Sequence, residues 1–188
     1  MLLLEKMAHR RITSANYITS VNGMVHPDRI LAEHDFLYML DGEWEIIEDG
    51  HIYEMHRDDL LILSAGRHHR GEKLCNPGNR HMYFHVLPTA AETGEKNDME
   101  EMESSKFLPC HTLLHCRHHP HIRMYFEELI SVFWSDSPEK LCRLSLLFNL
   151  LLCEIAELHT VSGDRQPSDP LVEEVCRQIQ SNPQTFYT

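Results

Sequence analysis

Asp35, Asp41, Trp44, His69, His81, Tyr83 and His85 are the side chains of this sequence whose types and spacing best suit shared chemistry. Strand side chains alternate between two faces, so residues two apart lie on the same side. If Asp35 points inward, Leu37, Met39 and Asp41 follow it, and His81, Tyr83 and His85 form a second shared face on a later strand. With His69 and Trp44 they make a ligand-binding set suited to a small polyhydroxylated molecule. Polar groups would fix its orientation and an aromatic ring would cover its flat face. The competing reading makes Tyr83 and His85 hydrogen-bonded core residues, and a one-residue slip in register would turn the whole set outward.

A second run is denser in metal-donor types: Cys110-His111, then His115-Cys116-Arg117-His118-His119-Pro120-His121. It lacks the paired C-x-x-C and H-x-x-x-H arrangement of a structural zinc site, although a turn could gather Cys110, His115, Cys116 and His119. The alternative is an exposed histidine-rich linker ahead of a helix. No G-x-S-x-G, P-loop or dinucleotide fingerprint occurs among the 8 glycines, which favours binding over catalysis. No catalytic residue, cofactor or bound metal is therefore expected.

The elements that must position these groups are short. From Asp28 to Gly71 apolar runs are cut by Asp41-Gly42, Asp49-Gly50, Arg57-Asp58-Asp59 and Ala65-Gly66. Asp-Gly between apolar strands is a hairpin signal, because a type I′ turn needs positive φ at both central positions. Strands are expected within Arg11–Val21 and at Ile30–Ala32, Asp35–Leu40, Glu43–Glu48, His51–Met55, Leu60–Leu63 and Arg80–Leu87, with Phe107–Leu114 returning as one more. That pattern predicts a mainly β plus α chain: an antiparallel β-barrel of the jelly-roll kind over residues 1–114, in which the acidic stretch 91–106 is a mobile loop.

A helical segment over 115–164 follows. Pro120 suits the first turn of a helix, and Ile122, Tyr125, Phe126, Leu129, Ile130 and Phe133 recur at helical spacing. Ser137-Pro138-Glu139 opens a second helix whose stripe is Leu141, Leu144, Phe148, Leu151, Leu152, Ile155 and Leu158. Leu147 and Leu150 widen that stripe beyond one face, which predicts a homodimer through the helices near 121–160. After a linker, Asp169-Pro170 starts a third helix that Asn182-Pro183 stops.

The 188 residues, 42% hydrophobic and 24% charged, suit one compact domain with an appendage. Lys+Arg 17 against Asp+Glu 29 leaves a net charge of −12, which repels a phosphate backbone, so nucleic acid is not a direct partner of these residues. Leu2-Leu3-Leu4 is too short for a signal peptide or a membrane span, so a cytoplasmic chain without a membrane partner is expected. The 6 cysteines show no disulfide-framework spacing and are expected to be reduced.

The barrel resembles a cupin, and the order of elements resembles the N-terminal effector-binding and dimerisation region of AraC/XylS-type transcription regulators. The residues that carry the resemblance are Arg29 to His34, Phe36 to Gly42, Asp59 to Leu63, Gly66 to Gly71 and Tyr83 to Val86, followed by the amphipathic helix pair. The resemblance implies a small-molecule effector, such as a carbohydrate, bound in the barrel. It also implies DNA binding through a C-terminal helix-turn-helix domain, whose first helix Asp169 to Glu174 resembles. Metal-dependent cupin enzymes carry two histidines and a glutamate before the first glycine and a histidine in the second motif. Setting Gly42 and Gly66 on the family glycines puts Asp28, Ile30, Asp35 and His69 at those positions, where only His69 keeps the family's residue type. Two rival classes stay open: a metal-dependent cupin isomerase or dioxygenase using His69 with Asp28 or Asp35, and a structural dimerisation module with no ligand.

Overall fold

The computed structural model describes residues 2–93 and 106–163. Residues 1–156 form one compact unit and 157–188 another; the architecture below is that of the first. The expected third helix at 169–182 and residues 94–105 of the acidic stretch lie outside the described residues.

The strands are β1 (Leu2–Glu5), β2 (Ile12–Ser20), β3 (Arg29–Ile30), β4 (His34–Asp41), β5 (Trp44–Glu48), β6 (His51–Met55), β7 (Asp59–Leu63), β8 (His68–Arg70), β9 (Asn79–Val86), β10 (Phe107–Cys110) and β11 (Leu113–His115). The helices are α1 (Ala90–Thr93), α2 (Pro120–Phe133) and α3 (Lys140–Gly163). One sheet runs β11-β7-β4-β9-β2, a second runs β3-β8-β5-β6, and β1 pairs with β10 alone. Every pairing is antiparallel. The fold is mainly β plus α, a cupin-like jelly roll made of two facing sheets with helices on one of them.

Alternation explains the layers. Leu37, Met39, Leu61 and Leu63 of the five-stranded sheet meet Trp44, Ile46 and Met55 of the four-stranded sheet in one buried cluster. The intervening residues Phe36, Tyr38, Leu60, Ile62, Met82 and Phe84 are also buried, on the opposite face. There Phe36 stacks on Phe84 at 4.8 Å, and the rings of Phe126 (α2) and Phe148 (α3) lie 4.7 Å and 5.9 Å from Phe84. The run Phe36-Leu37-Tyr38-Met39 is thus apolar throughout because its strand is covered on both sides. Burying each such ring contributes roughly 2–3 kcal/mol. Trp134, just after α2, donates its indole N–H to the Ala15 carbonyl at 2.9 Å and ties the helix end to β2.

Asp49-Gly50 is a true hairpin turn between β5 and β6, with φ of 47° and 83°. Asp41-Gly42 is not. Only Gly42 has positive φ, at 93°, and the strands on either side lie in different sheets, so this dipeptide carries the chain across the sandwich instead of reversing it within a sheet. β1 and β8 are strands that the sequence reading omits, Phe107–Leu114 divides into β10 and β11, and α3 begins at Lys140 after a turn through Pro138-Glu139.

The stretch expected as loop from residue 91 departs from that expectation at its start. At the start of α1 the Glu92 carboxylate accepts the Thr89 N–H at 2.8 Å while the Glu92 N–H donates to the Thr89 carbonyl at 3.1 Å. The buried Glu92 carboxylate also accepts from the Glu5 N–H at 2.6 Å and from Arg10 Nη1 at 2.7 Å. Arg10 is itself buried, and its backbone N–H donates to Ser145 Oγ of α3 at 2.9 Å. Burial alone would raise the Glu92 pKa, but His34 and the Arg10 guanidinium outweigh it and bring it down to about 2 from a usual 4.5. A carboxylate with a depressed folded pKa stabilises fully above its unfolded pKa and loses that contribution as pH falls. Urea unfolding of the native chain is therefore expected to show stability falling as pH drops from about 4.5 towards 2. Glu92→Gln should weaken that dependence and cost about 3 kcal/mol at neutral pH, since it leaves Arg10 buried without its anion.

Candidate functional site

The register of β4 against β9 sets Asp35 opposite His85, Leu37 opposite Tyr83 and Met39 opposite His81. The two expected faces are therefore one face, directed between the sheets. β8 brings His69 into register with Arg29 of β3 on one side and Glu48 of β5 on the other. Trp44 enters from the start of β5. His26 comes from the irregular chain before β3, where its carbonyl accepts the Gly71 N–H at 3.0 Å. That crossing is tight, for a Cβ on Gly71 would lie 2.7 Å from the His26 backbone nitrogen.

Asp35, at 1% exposure, is the centre. Arg29 Nη2 donates to its Oδ2 at 3.0 Å, and Arg29 Nε donates to His69 Nε2 at 3.2 Å. The other carboxylate oxygen of Asp35 faces His85 Nε2 at 3.5 Å. Around this centre the His26 ring lies 5.2 Å from His69 and 5.3 Å from Trp44, and Trp44 lies 4.8 Å from His81. Tyr83 lies 5.1 Å from His85, and its hydroxyl is 3.3 Å from Ser14 Oγ.

Burial sets the charge state of this ring of imidazoles. It pushes the pKa of both His26 and His81 down to about 4 against the pull of Asp35, and lowers that of His69. For Asp35 burial does not prevail: it would raise the pKa, but the hydrogen bond and charge of His85, with His26 and Arg29, hold it below the usual carboxylate value. At pH 7 the centre is an aspartate paired with an arginine beside the neutral imidazoles of His26, His69 and His81. Each neutral ring offers one donor and one acceptor. His26 Nδ1 sits 3.1 Å from the Pro27 carbonyl and so carries the proton, leaving Nε2 as acceptor. Among the described residues, the buried Trp44 Nε1 and His81 Nδ1 have no hydrogen-bond partner.

Of the residues expected here, Asp35, Trp44, His69, His81, Tyr83 and His85 converge. Asp41 does not. The pairing of β4 with β9 shifts between Met39 and Asp41, and the extra residue sets Asp41 opposite Arg80 on the other face. There Asp41 is exposed and meets Arg80 Nη2 at 3.2 Å. Asp28 also stands apart, bonded to His68 Nε2 at 2.6 Å, and Ile30 is 64% exposed. His26 and Arg29 are the members that sequence reasoning missed. The signal available was Gly71, which closes the Gly66–Gly71 segment with no side chain to pack.

The donor-rich run is dispersed. Cys110 and Cys116 are buried, and burial pushes both thiols up to about 12, away from the thiolate that binds metal. His115 Nδ1 meets Asp59 at 2.7 Å, His121 meets Glu154 at 3.2 Å, and His119 is the N-cap position of α2. The one group of metal-donor type among the described residues is His26, Asp35 and His69, whose donor atoms lie within 4.8 Å of one another. It does not fit a bound metal: Arg29 already engages His69 Nε2 and Asp35 Oδ2, so an ion would meet a guanidinium and occupied lone pairs. No described helix is long and apolar enough to cross a membrane.

Gly71→Ala is expected to displace the backbone at His26 and lower stability by about 1–3 kcal/mol, read as a reduced urea midpoint with unchanged slope. An unchanged midpoint would show that the crossing is not tight.

No protein-family model and no curated protein matches this chain. Similar solved structures include the YhaK protein of Escherichia coli, at 16% identity over 48% of this chain and 41% of that one, with a TM-score of 0.38. An RmlC-like cupin from Shewanella frigidimarina is similar at 16% identity over 46% of this chain and 84% of its own, TM-score 0.34. A predicted oxalate decarboxylase from Thermotoga maritima is similar at 16% over 42% and 68%, TM-score 0.34.

Proposed function

We propose that this chain is the ligand-sensing and dimerisation region of a regulator, and that its ligand is a small, uncharged, polyhydroxylated molecule held between the sheets. The observation that carries the reading is the polar face set into an otherwise apolar interior, with Trp44 Nε1 and His81 Nδ1 buried and unpartnered. A buried donor without a partner costs about 1–3 kcal/mol, and a ligand hydroxyl would recover that cost. Neutral imidazoles match hydroxyl groups because both donate and accept, and the Trp44 ring offers an apolar surface for a sugar face. Arg29 is already committed to Asp35 and His69, which favours a neutral ligand over an anion.

Dimerisation falls to α3. Cys142, Leu146, Leu150 and Cys153 recur along one stripe of that helix and are exposed, Leu146 by 56% and Leu150 by 47%. In a regulator of the AraC type, ligand binding would shift the population of dimer arrangements and thereby control a C-terminal helix-turn-helix domain. The shift cannot exceed the ligand's difference in affinity between the states.

In a thermal-shift screen of neutral sugars and polyols, a ligand at ~100 times its Kd should add about 2.7 kcal/mol. Trp44→Phe and His81→Phe should each abolish the shift, and a panel without any effect contradicts the reading. In sedimentation experiments the native chain should be dimeric and Leu146→Glu/Leu150→Glu monomeric; a monomeric native chain at tens of µM contradicts the dimer.

A further inference from the structure

We infer that Arg29 stands in the cation position of the His26–Asp35–His69 centre, so that a latent divalent-metal site works without metal. This goes beyond the ligand reading and does not depend on it.

Two imidazoles and one carboxylate, all buried, place their donor atoms within 4.8 Å of one another. Two histidines and a carboxylate are a common set for divalent first-row metals. Such a set needs a positive partner, because a buried carboxylate without one is strongly unfavourable. Arg29 supplies that partner in a way only a guanidinium can: Nε takes the lone pair of His69 Nε2 at 3.2 Å while Nη2 takes Asp35 Oδ2 at 3.0 Å. Its position follows from the pairing of β3 with β8, where Arg29 lies directly opposite His69. The side chain is 32% exposed, so the head reaches the centre from the rim of the sandwich.

Charge decides the competition. Arg29 and Asp35 together are neutral. A divalent ion added beside them would leave a surplus of two charges in a buried site, and it would have to displace two hydrogen bonds to reach its donors. With Arg29 removed, the carboxylate and both imidazole acceptors are free for a metal, and His26 already presents Nε2 because its Nδ1 is bonded to Pro27.

Cobalt(II) titration, followed by ligand-field absorption, tests this on the full chain. The native protein should show no stoichiometric band. Arg29→Met should bind one equivalent at least tenfold more tightly, and the double variant Arg29→Met/His69→Gln should lose that band. A one-equivalent band in the native protein that His69→Gln removes would overturn the inference, as would Arg29→Met binding no more tightly than the native chain. Histidine side-chain 15N spectra of the native protein read the same point should Arg29→Met fail to fold. Equimolar zinc should leave the His26 and His69 nitrogens unshifted, and a zinc-induced shift at either would refute the role of Arg29.

Discussion

An aspartate almost without solvent, held by one arginine across the gap between two sheets, is the constraint on which this structure turns. Asp35 belongs to β4 in the five-stranded sheet and Arg29 to β3 in the four-stranded sheet, so their 3.0 Å contact is also a clamp between layers. Isolated, the carboxylate would cost several kcal/mol to bury. Paired, it fixes where the guanidinium lies, and the guanidinium then sets the tautomer of His69 through its lone pair. His85 faces the remaining oxygen and His26 packs edge-on against His69. One buried charge thus orders groups from β3, β4, β8, β9 and the chain before β3.

The same burial keeps His26, His69 and His81 neutral, which links packing to recognition. A charged imidazole can only donate, whereas a neutral one also accepts, and hydroxyl-rich molecules call for both. The apolar cluster formed by Leu37, Met39, Ile46, Met55 and Leu61 therefore does more than hold the sheets together. It supplies the low-dielectric setting in which His26 and His81 stay uncharged. Arg10 and Glu92 form a second buried pair, tying the N-terminal strand and α1 together.

Alternation along Asp35-Phe36-Leu37-Tyr38-Met39 and along His81 to His85 made most of the candidate site legible from residues alone, because period-two patterning survives wherever a strand stays regular. It failed at Asp41, where a shift of pairing turned the residue to the opposite face. Regular strands also say nothing of groups delivered by irregular chain. His26 arrives through a backbone crossing at Gly71, and Arg29 through a two-residue strand, and neither has a local period to read. Asp41-Gly42 misled for a related reason: the dipeptide reports a local turn, while the sheet each strand joins is decided by long-range pairing. Glu92 was concealed by composition, since an acidic stretch gives no hint that one carboxylate meets a buried arginine just ahead of β2.

The charge of the imidazoles bears most directly on this centre. Titration of the native chain, followed through the side-chain 15N shifts of His26 and His81, should find both neutral from pH 7 down to near pH 5 and protonating only near 4. Protonation of either ring near 6.5 would mean a hydrated, loosely held group and would contradict a prealigned neutral recognition face organised by Arg29 and Asp35.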